Sequence, residues 1–137
     1  MKLPTDMQIL REVYNRHYSQ FAAFAKDNPS RATKIYVPVD ISAVASKLGV
    51  DPDIVFGRLY YHLDKKHGYK QDDGSSVHLF TPRAGEDIHC VNFPLLAAVL
   101  ASLVQEDTRF WLPTVLAITS LVVSIVSIVI AAYSKGG

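Results

Sequence analysis

A single cysteine, Cys90, stands among 137 residues. That excludes a disulfide framework and any multi-cysteine metal site. No charge of either sign predominates. Fourteen Lys and Arg face 13 Asp and Glu, and up to Ser134 the balance is zero, because Lys135 is one of the 14. A strongly basic nucleic-acid wrapper and an acidic tail protein are thereby excluded. The chain has no low-complexity run, no internal repeat, no Walker loop and no G-x-G-x-x-G. No catalytic constellation is recognisable, so neither enzyme activity nor a cofactor is expected. His62 and His67 are five apart on one expected helix and face different ways, while His89 and Cys90 fall on opposite sides of an expected strand. A zinc site wants three or four converging ligands, so no metal is expected. Cys90 reads as a small buried residue.

The distribution of apolar residues is what stands out. They make up 49% of the chain, an ordinary share, but the last quarter is nearly all apolar. Phe110 to Ser134 gives 25 consecutive residues without a charge, bracketed by Arg109 and Lys135. About 20 helical residues cross a ~30 Å hydrocarbon core, so this run is long enough to span with some tilt. Trp111 and Tyr133 lie at its two ends, where amphipathic rings suit the interfaces, and Pro113 sits near the start, where a missing N–H is tolerated. Asp6, Arg11, Glu12 and Arg16 interrupt the first 20 residues, which therefore do not read as a signal peptide. The expectation is a C-terminal, single-pass anchor in the cell membrane, with residues 1–109 cytosolic. A second uncharged stretch, Ile88 to Val104, contains His89, Asn92 and Pro94. It is short for a span and reads as a connector at the core or the membrane surface.

Within the span, Ala117, Ser120, Ser124, Ser127, Ala131 and Ser134 recur at spacings of three and four. Such a small-residue seam lets helix backbones approach closely in lipid, so a homo-oligomer through this face is expected.

The first part of the chain is mixed. Thr5 and Gln8 form a capping box for a helix expected from Thr5 to Asn28, with a stripe of Met7, Leu10, Tyr14, Tyr18, Phe21 and Phe24. Lys34 to Val39 is β-prone, and Pro38 confines it to an edge or a strand end. Asp40 caps a helix carrying Ile41, Val44, Ala45 and Leu48, and Gly49 follows as the turn. Asp51 and Pro52 start a second helix with Val55, Leu59 and Leu63 on one face, ending near Gly68. Tyr69–Gln71 and Val77–Phe80, flanking Asp72–Ser76, read as a hairpin, and the loop Thr81–Asp87 reads as a domain boundary.

Residues 5–81 resemble the winged helix-turn-helix superfamily, carried by Ala45, Leu48, Gly49, Val55, Leu59, Leu63, Gly68 and the 69–80 hairpin. The expected fold class is α+β. The expected organisation is a winged helix-turn-helix domain at 1–87, a connector strand and helix at 88–109, a transmembrane helix at 110–134 and a tail at 135–137. The resemblance implies that the second motif helix can enter a DNA major groove. Arg58 would then meet guanine, and Lys65, Lys66 and Lys70 would meet phosphates. Residues 31–70 hold seven Lys and Arg against four Asp and Glu. Against DNA, Asp51 and Asp53 occupy the start of that helix, Asp72 and Asp73 the hairpin tip, and Phe56 and Gly57 replace polar base readers. Protein contact through Phe56, Gly57, Arg58, Tyr61, His62, Lys65, Lys66 and Lys70 is therefore favoured over DNA. The resulting expectation is a non-enzymatic, membrane-anchored adaptor or regulator acting at the cytosolic face on a protein partner. The alternative is a small membrane effector of toxin or phage-defence type, whose span oligomerises and perturbs the bilayer.

Overall fold

The computed structural model describes residues 2–136, so Gly137 of the expected tail lies outside the described residues. The chain divides into two compact units, Met1–Ala101 and Ser102–Gly137.

In the first unit the elements run α1 (Asp6–Ala22), β1 (Tyr36–Pro38), α2 (Ile41–Leu48), α3 (Pro52–Gly57), a π-helical segment (Arg58–Leu63), α4 (Asp64–His67), β2 (Tyr69–Lys70), β3 (Ser76–Val77), β4 (Phe80–Ala84) and β5 (Asp87–Asn92). The first turns of α5 (Phe93–Lys135) close it. β1, β5 and β4 form an antiparallel sheet in that order, and β2 and β3 form a separate two-stranded ribbon. The fold is thus α+β with a small sheet.

Local signals explain the helix starts. Thr5 and Gln8 make the reciprocal capping box, Asp40 accepts the Ala43 N–H, and Asp51 accepts the Asp53 N–H with Pro52 at the first helical position. Gly49 ends α2 at φ +70°, a left-handed conformation that costs glycine nothing. α3, the π-helical segment and α4 follow one another with helical backbone angles throughout. Val55, Leu59 and Leu63 are fully buried on one face of this run, each adding roughly 1.5–3 kcal/mol of burial. They share the core with Ile9, Leu10 and Val13 of α1, Val44 and Ala45 of α2, Leu79, Phe80 and Val91 of the strands, and Phe93 and Leu96 of α5.

Several expectations need correcting. α1 stops at Ala22 rather than Asn28. The Arg31 guanidinium donates to the Gln20 and Lys34 carbonyls at 3.2 and 2.9 Å and lies over the Phe24 ring, so residues beyond α1 fold back as a loop. The buried face of α1 is Ile9, Leu10, Val13 and His17, and of the stripe expected from Met7 to Phe24 only Leu10 belongs to it. Tyr14, Tyr18 and Phe21 instead surround the Phe93 ring at 4.6–6.4 Å between centroids. The hairpin expected to reach Phe80 ends at Val77. Asp64 is the cause: its Oδ1 accepts the N–H groups of Leu79 and Phe80 at 2.8 and 3.2 Å and turns the chain into the second sheet. The loop expected at Thr81–Asp87 is mostly strand. β4 and β5 pair across it, Phe80 opposite Val91 and Ala84 opposite Asp87.

In the second unit, Ser102 to Lys135 is helix throughout, with Pro113 inside it. α5 is the one helix among the described residues long and apolar enough to cross a membrane, and its most apolar window has no buried residue.

Candidate functional site

The expected contact residues do not form one patch. Arg58 and His62 converge on the start of α1. Arg58 donates to Asp6 Oδ1 at 2.9 Å and to the Pro4 carbonyl at 3.1 Å, and His62 Nε2 lies 3.2 Å from Asp6 Oδ2. Partial burial works to raise the Asp6 carboxyl, and the hydrogen bonds and charges of Arg58 and His62 outweigh it, holding the group below the ordinary aspartate value. Arg58 is only 22% exposed at its side chain. Its guanidinium is a tie between helices, not a free reader of base edges. The π-helical segment begins at this residue, and such segments are frequent at functional sites.

Tyr61 and Lys65 lie on a second surface with Tyr60, Asp64, His78, Phe80 and Pro82, around a shallow groove of about 360 Å³. Tyr61 is 71% exposed. His78 is held there by Asp64 Oδ2 at 3.2 Å. Lys66 and Lys70 are exposed and make no ion pair among the described residues.

The larger groove, about 490 Å³, lies where the N-terminal ends of α2 and α3 meet β5. Asp40, Ile41 and Ser42 line it from α2, Pro52, Asp53 and Phe56 from α3, and His89 from β5. Of the expected contact residues only Phe56 belongs to it. The Phe56 ring stacks on Tyr60 at 5.5 Å and meets Phe80 and His89 edge-on at 5.7 and 5.4 Å. His89 has φ +53°, the one non-glycine residue with positive φ among the described residues. An L-residue in that conformation costs about 1–2 kcal/mol. The carbonyl of His89 accepts the Val39 N–H at 2.9 Å, and its ring stacks on Phe80, so packing on both sides holds the strained backbone. Asp40 uses Oδ1 to cap α2, and Asp53 makes no hydrogen bond through its carboxylate among the described residues. Neither carboxylate has a cationic partner among them.

Sequence reasoning passed over Asp40, Ser42 and His89 as contact residues. Asp40 was legible only as a cap, and a left-handed histidine inside a strand has no sequence signature. It also passed over Asp64, whose carboxylate reaches 15 and 16 residues along the chain.

Among the described residues no three His, Cys, Asp or Glu side chains gather as a metal site. Cys90 is buried, and burial above all pushes its thiol up, with Asp87 adding to the effect. A protonated buried thiol is a poor nucleophile.

On the apolar helix, Ser124 Oγ donates to the Ser120 carbonyl and Ser127 Oγ to the Val123 carbonyl, both at 2.9 Å. Thr114 and Thr119 bond backward in the same way. The seam of Ala117, Ser120, Ser124, Ser127 and Ala131 therefore presents small side chains with two of its hydroxyls already satisfied.

No family model matches the chain, and no similar protein is found among curated sequences or among solved structures.

Proposed function

We propose that the chain is a non-enzymatic, membrane-anchored docking protein. In this account residues 110–134 cross the bilayer, and a winged helix-turn-helix unit stands at the cytosolic face and binds protein in preference to DNA. The winged reading is supported by the order helix, strand, helix, Gly49 turn, helix, followed by a sheet ordered β1-β5-β4. The wing is then the β4–β5 hairpin, and the β2–β3 ribbon is an insertion ahead of it. Anchoring is supported by an exposed apolar helix whose residues from Phe110 to Ser134 suit the ~30 Å hydrocarbon core. A domain with one buried free cysteine fits a reducing compartment.

The observation that carries protein over DNA is the engagement of Arg58 by Asp6 and Pro4. The one arginine on that helical run is occupied, and the first turn of the helix presents Asp51 and Asp53 to any phosphate. Lys65, Lys66 and Lys70 at the end of the helical run, with Lys47 on α2 and Arg83 on the β4–β5 hairpin, are the exposed cations nearest this face, and so few phosphate contacts support only weak and salt-labile association.

Selection from a random DNA library by the full chain in lipid nanodiscs at physiological salt tests this directly. No enriched sequence is expected. Enrichment that is lost on Arg58→Ala makes the protein a transcription regulator instead. Collapse of membrane potential on expression of the chain favours the effector alternative.

A further inference from the structure

The face built by the π-helical segment, α4 and the start of β4 has the chemistry of a membrane-surface contact. Tyr60, Tyr61, Lys65, His78, Thr81 and Pro82 line its shallow groove of about 360 Å³. The one acid in that lining, Asp64, is already engaged. Its Oδ1 accepts the Leu79 and Phe80 N–H groups, and its Oδ2 lies 3.2 Å from His78 Nδ1. Among the described residues His78 bonds through Nδ1 alone and Lys65 makes no ion pair. Lys66 follows on α4 and Lys70 on the β2–β3 ribbon, both exposed and without an ion pair. Tyr60 and Tyr61 meet edge-on at 4.9 Å between centroids, and Tyr61 and Tyr69 are exposed. Residues 59–83 hold four Lys and Arg against three Asp. Of those three acids Asp64 is engaged and Asp73 accepts from Ser75, which leaves Asp72. Exposed tyrosines beside unpaired lysines suit a membrane interface, where the ring enters the headgroup layer and the ammonium meets phosphate or carboxylate.

We propose that this face docks on the anionic lipid headgroups of the membrane that anchors the chain. The inference rests on the anchoring in the function above and adds what the first unit does once it is anchored. Charge complementarity selects the lipid. The cytosolic leaflet is anionic, and each lysine near such a surface is worth roughly fivefold in binding, whereas a zwitterionic surface gives no net attraction. Attraction this weak does not retain a free polyanion at physiological salt. A tethered unit needs far less. Only residues 102–109 separate the first unit from the uncharged run that starts at Phe110, so the effective concentration of its surface at the bilayer is high. Lys65, Lys66 and Lys70 then suffice to favour one face over the others. Docking turns this face to the lipid and leaves the remaining surface of the unit for a protein partner.

The test places the full chain in nanodiscs of phosphatidylcholine alone, and in nanodiscs of three parts phosphatidylcholine to one part phosphatidylserine. A nitroxide on the lipid headgroup broadens the NMR signals of nearby amides. In the serine-containing discs broadening is expected at Tyr61, Lys65 and His78, well above that at Asp51 and Asp53, and it is expected to fade with added salt. Changing Lys65, Lys66 and Lys70 together to Gln is expected to lower the docking equilibrium constant by about tenfold or more. All three are exposed, so this variant keeps the fold. Equal broadening in the two lipids, equal broadening at the acidic start of α3, or unchanged docking in the lysine variant overturns the proposal. If inorganic phosphate shifts the same signals saturably in phosphatidylcholine discs, the groove serves soluble anions and the lipid assignment falls. It falls too if these signals change only with the number of chains per disc, because the face then covers a second copy. A nitroxide on the acyl chain reads the anchor separately, and broadening within residues 115–130 is expected in both lipids. Its absence removes the anchor and this proposal together, and its presence without docking removes this proposal alone.

Discussion

His17 accepts the backbone N–H of Asp40 through its Nε2 at 3.2 Å. A buried ring on α1 thus holds the residue that caps α2 and lines the acidic groove. Accepting through Nε2 requires the neutral imidazole with its proton on Nδ1. Burial above all keeps the His17 ring below the ordinary histidine value, and burial does the same for His67.

The sign of the resulting pH dependence follows. Both rings are harder to protonate in the folded chain than in the unfolded chain, so the unfolded state takes up protons first as pH falls. The stability they confer is fully present above about pH 6.5, and it declines as pH falls from there towards the depressed folded-state values. Thermal unfolding of the full chain in detergent at pH 7.5 and 5.5 is expected to show a lower Tm at pH 5.5. His17→Gln is expected to reduce that difference. A Tm that rises on acidification contradicts the assignment.

Gly68 is required by close approach, not by its backbone angle, which is an ordinary φ of −67°. A Cβ there would stand 2.6 Å from the Asp64 carbonyl oxygen and 3.1 Å from that of Val77, both backbone atoms. Gly68→Ala is expected to lower stability by about 1–3 kcal/mol. Gly57→Ala, whose nearest neighbour would be a Tyr61 ring carbon at 3.8 Å, is expected to raise it by about 0.5–1 kcal/mol. Chemical denaturation of both variants checks the contrast, and equal effects contradict it.

Asp64 joins the helical run to the sheet through two backbone N–H groups of fully buried residues, Leu79 and Phe80. Asp64→Ala leaves both donors without that acceptor and is expected to cost about 2–3 kcal/mol. Hydrogen exchange at Leu79 and Phe80 is expected to accelerate ahead of the amides of α1. Unchanged protection at these two positions removes Asp64 from its joining role.

Much of the first unit was legible because its signals are local. Asp40, Gly49, Asp51 and Pro52 each act on neighbours within four residues, and all took the expected places. What escaped depends on distant partners. α1 carries two adjacent apolar stripes, and only the position of Phe93, far along the chain, decides that the aromatic one lies beside the core rather than within it. Pro82 and Gly85 made 81–87 read as a loop, although an edge strand tolerates Pro82 and a tight turn uses Gly85. The groove combines α2, α3 and β5, and no sequence spacing brings residues 40, 53 and 89 together.

Self-association of the apolar helix, if it follows the small-residue seam, depends on side-chain size rather than on hydroxyl groups, because Ser124 and Ser127 already bond within their own helix. In a membrane two-hybrid assay, changing Ser120, Ser124 and Ser127 together to Leu is expected to abolish association. The same three changed to Ala are expected to leave it intact, as are Leu121, Ile125 and Ile128 changed to Val. Loss with the alanine set means that hydroxyl bonds between helices hold the assembly.

Anchoring by α5 underlies the whole functional account, and alkaline carbonate extraction of membranes from cells expressing the full chain tests it most directly. An integral span resists removal of peripheral contacts at high pH, and a helix of 25 uncharged residues meets the length requirement. The account predicts that the protein stays in the membrane pellet, and that replacing Leu121 and Ile125 by Lys, at the middle of the span, shifts it to the soluble or degraded fraction. Full release of the unaltered protein by carbonate, with its fold intact, would contradict it.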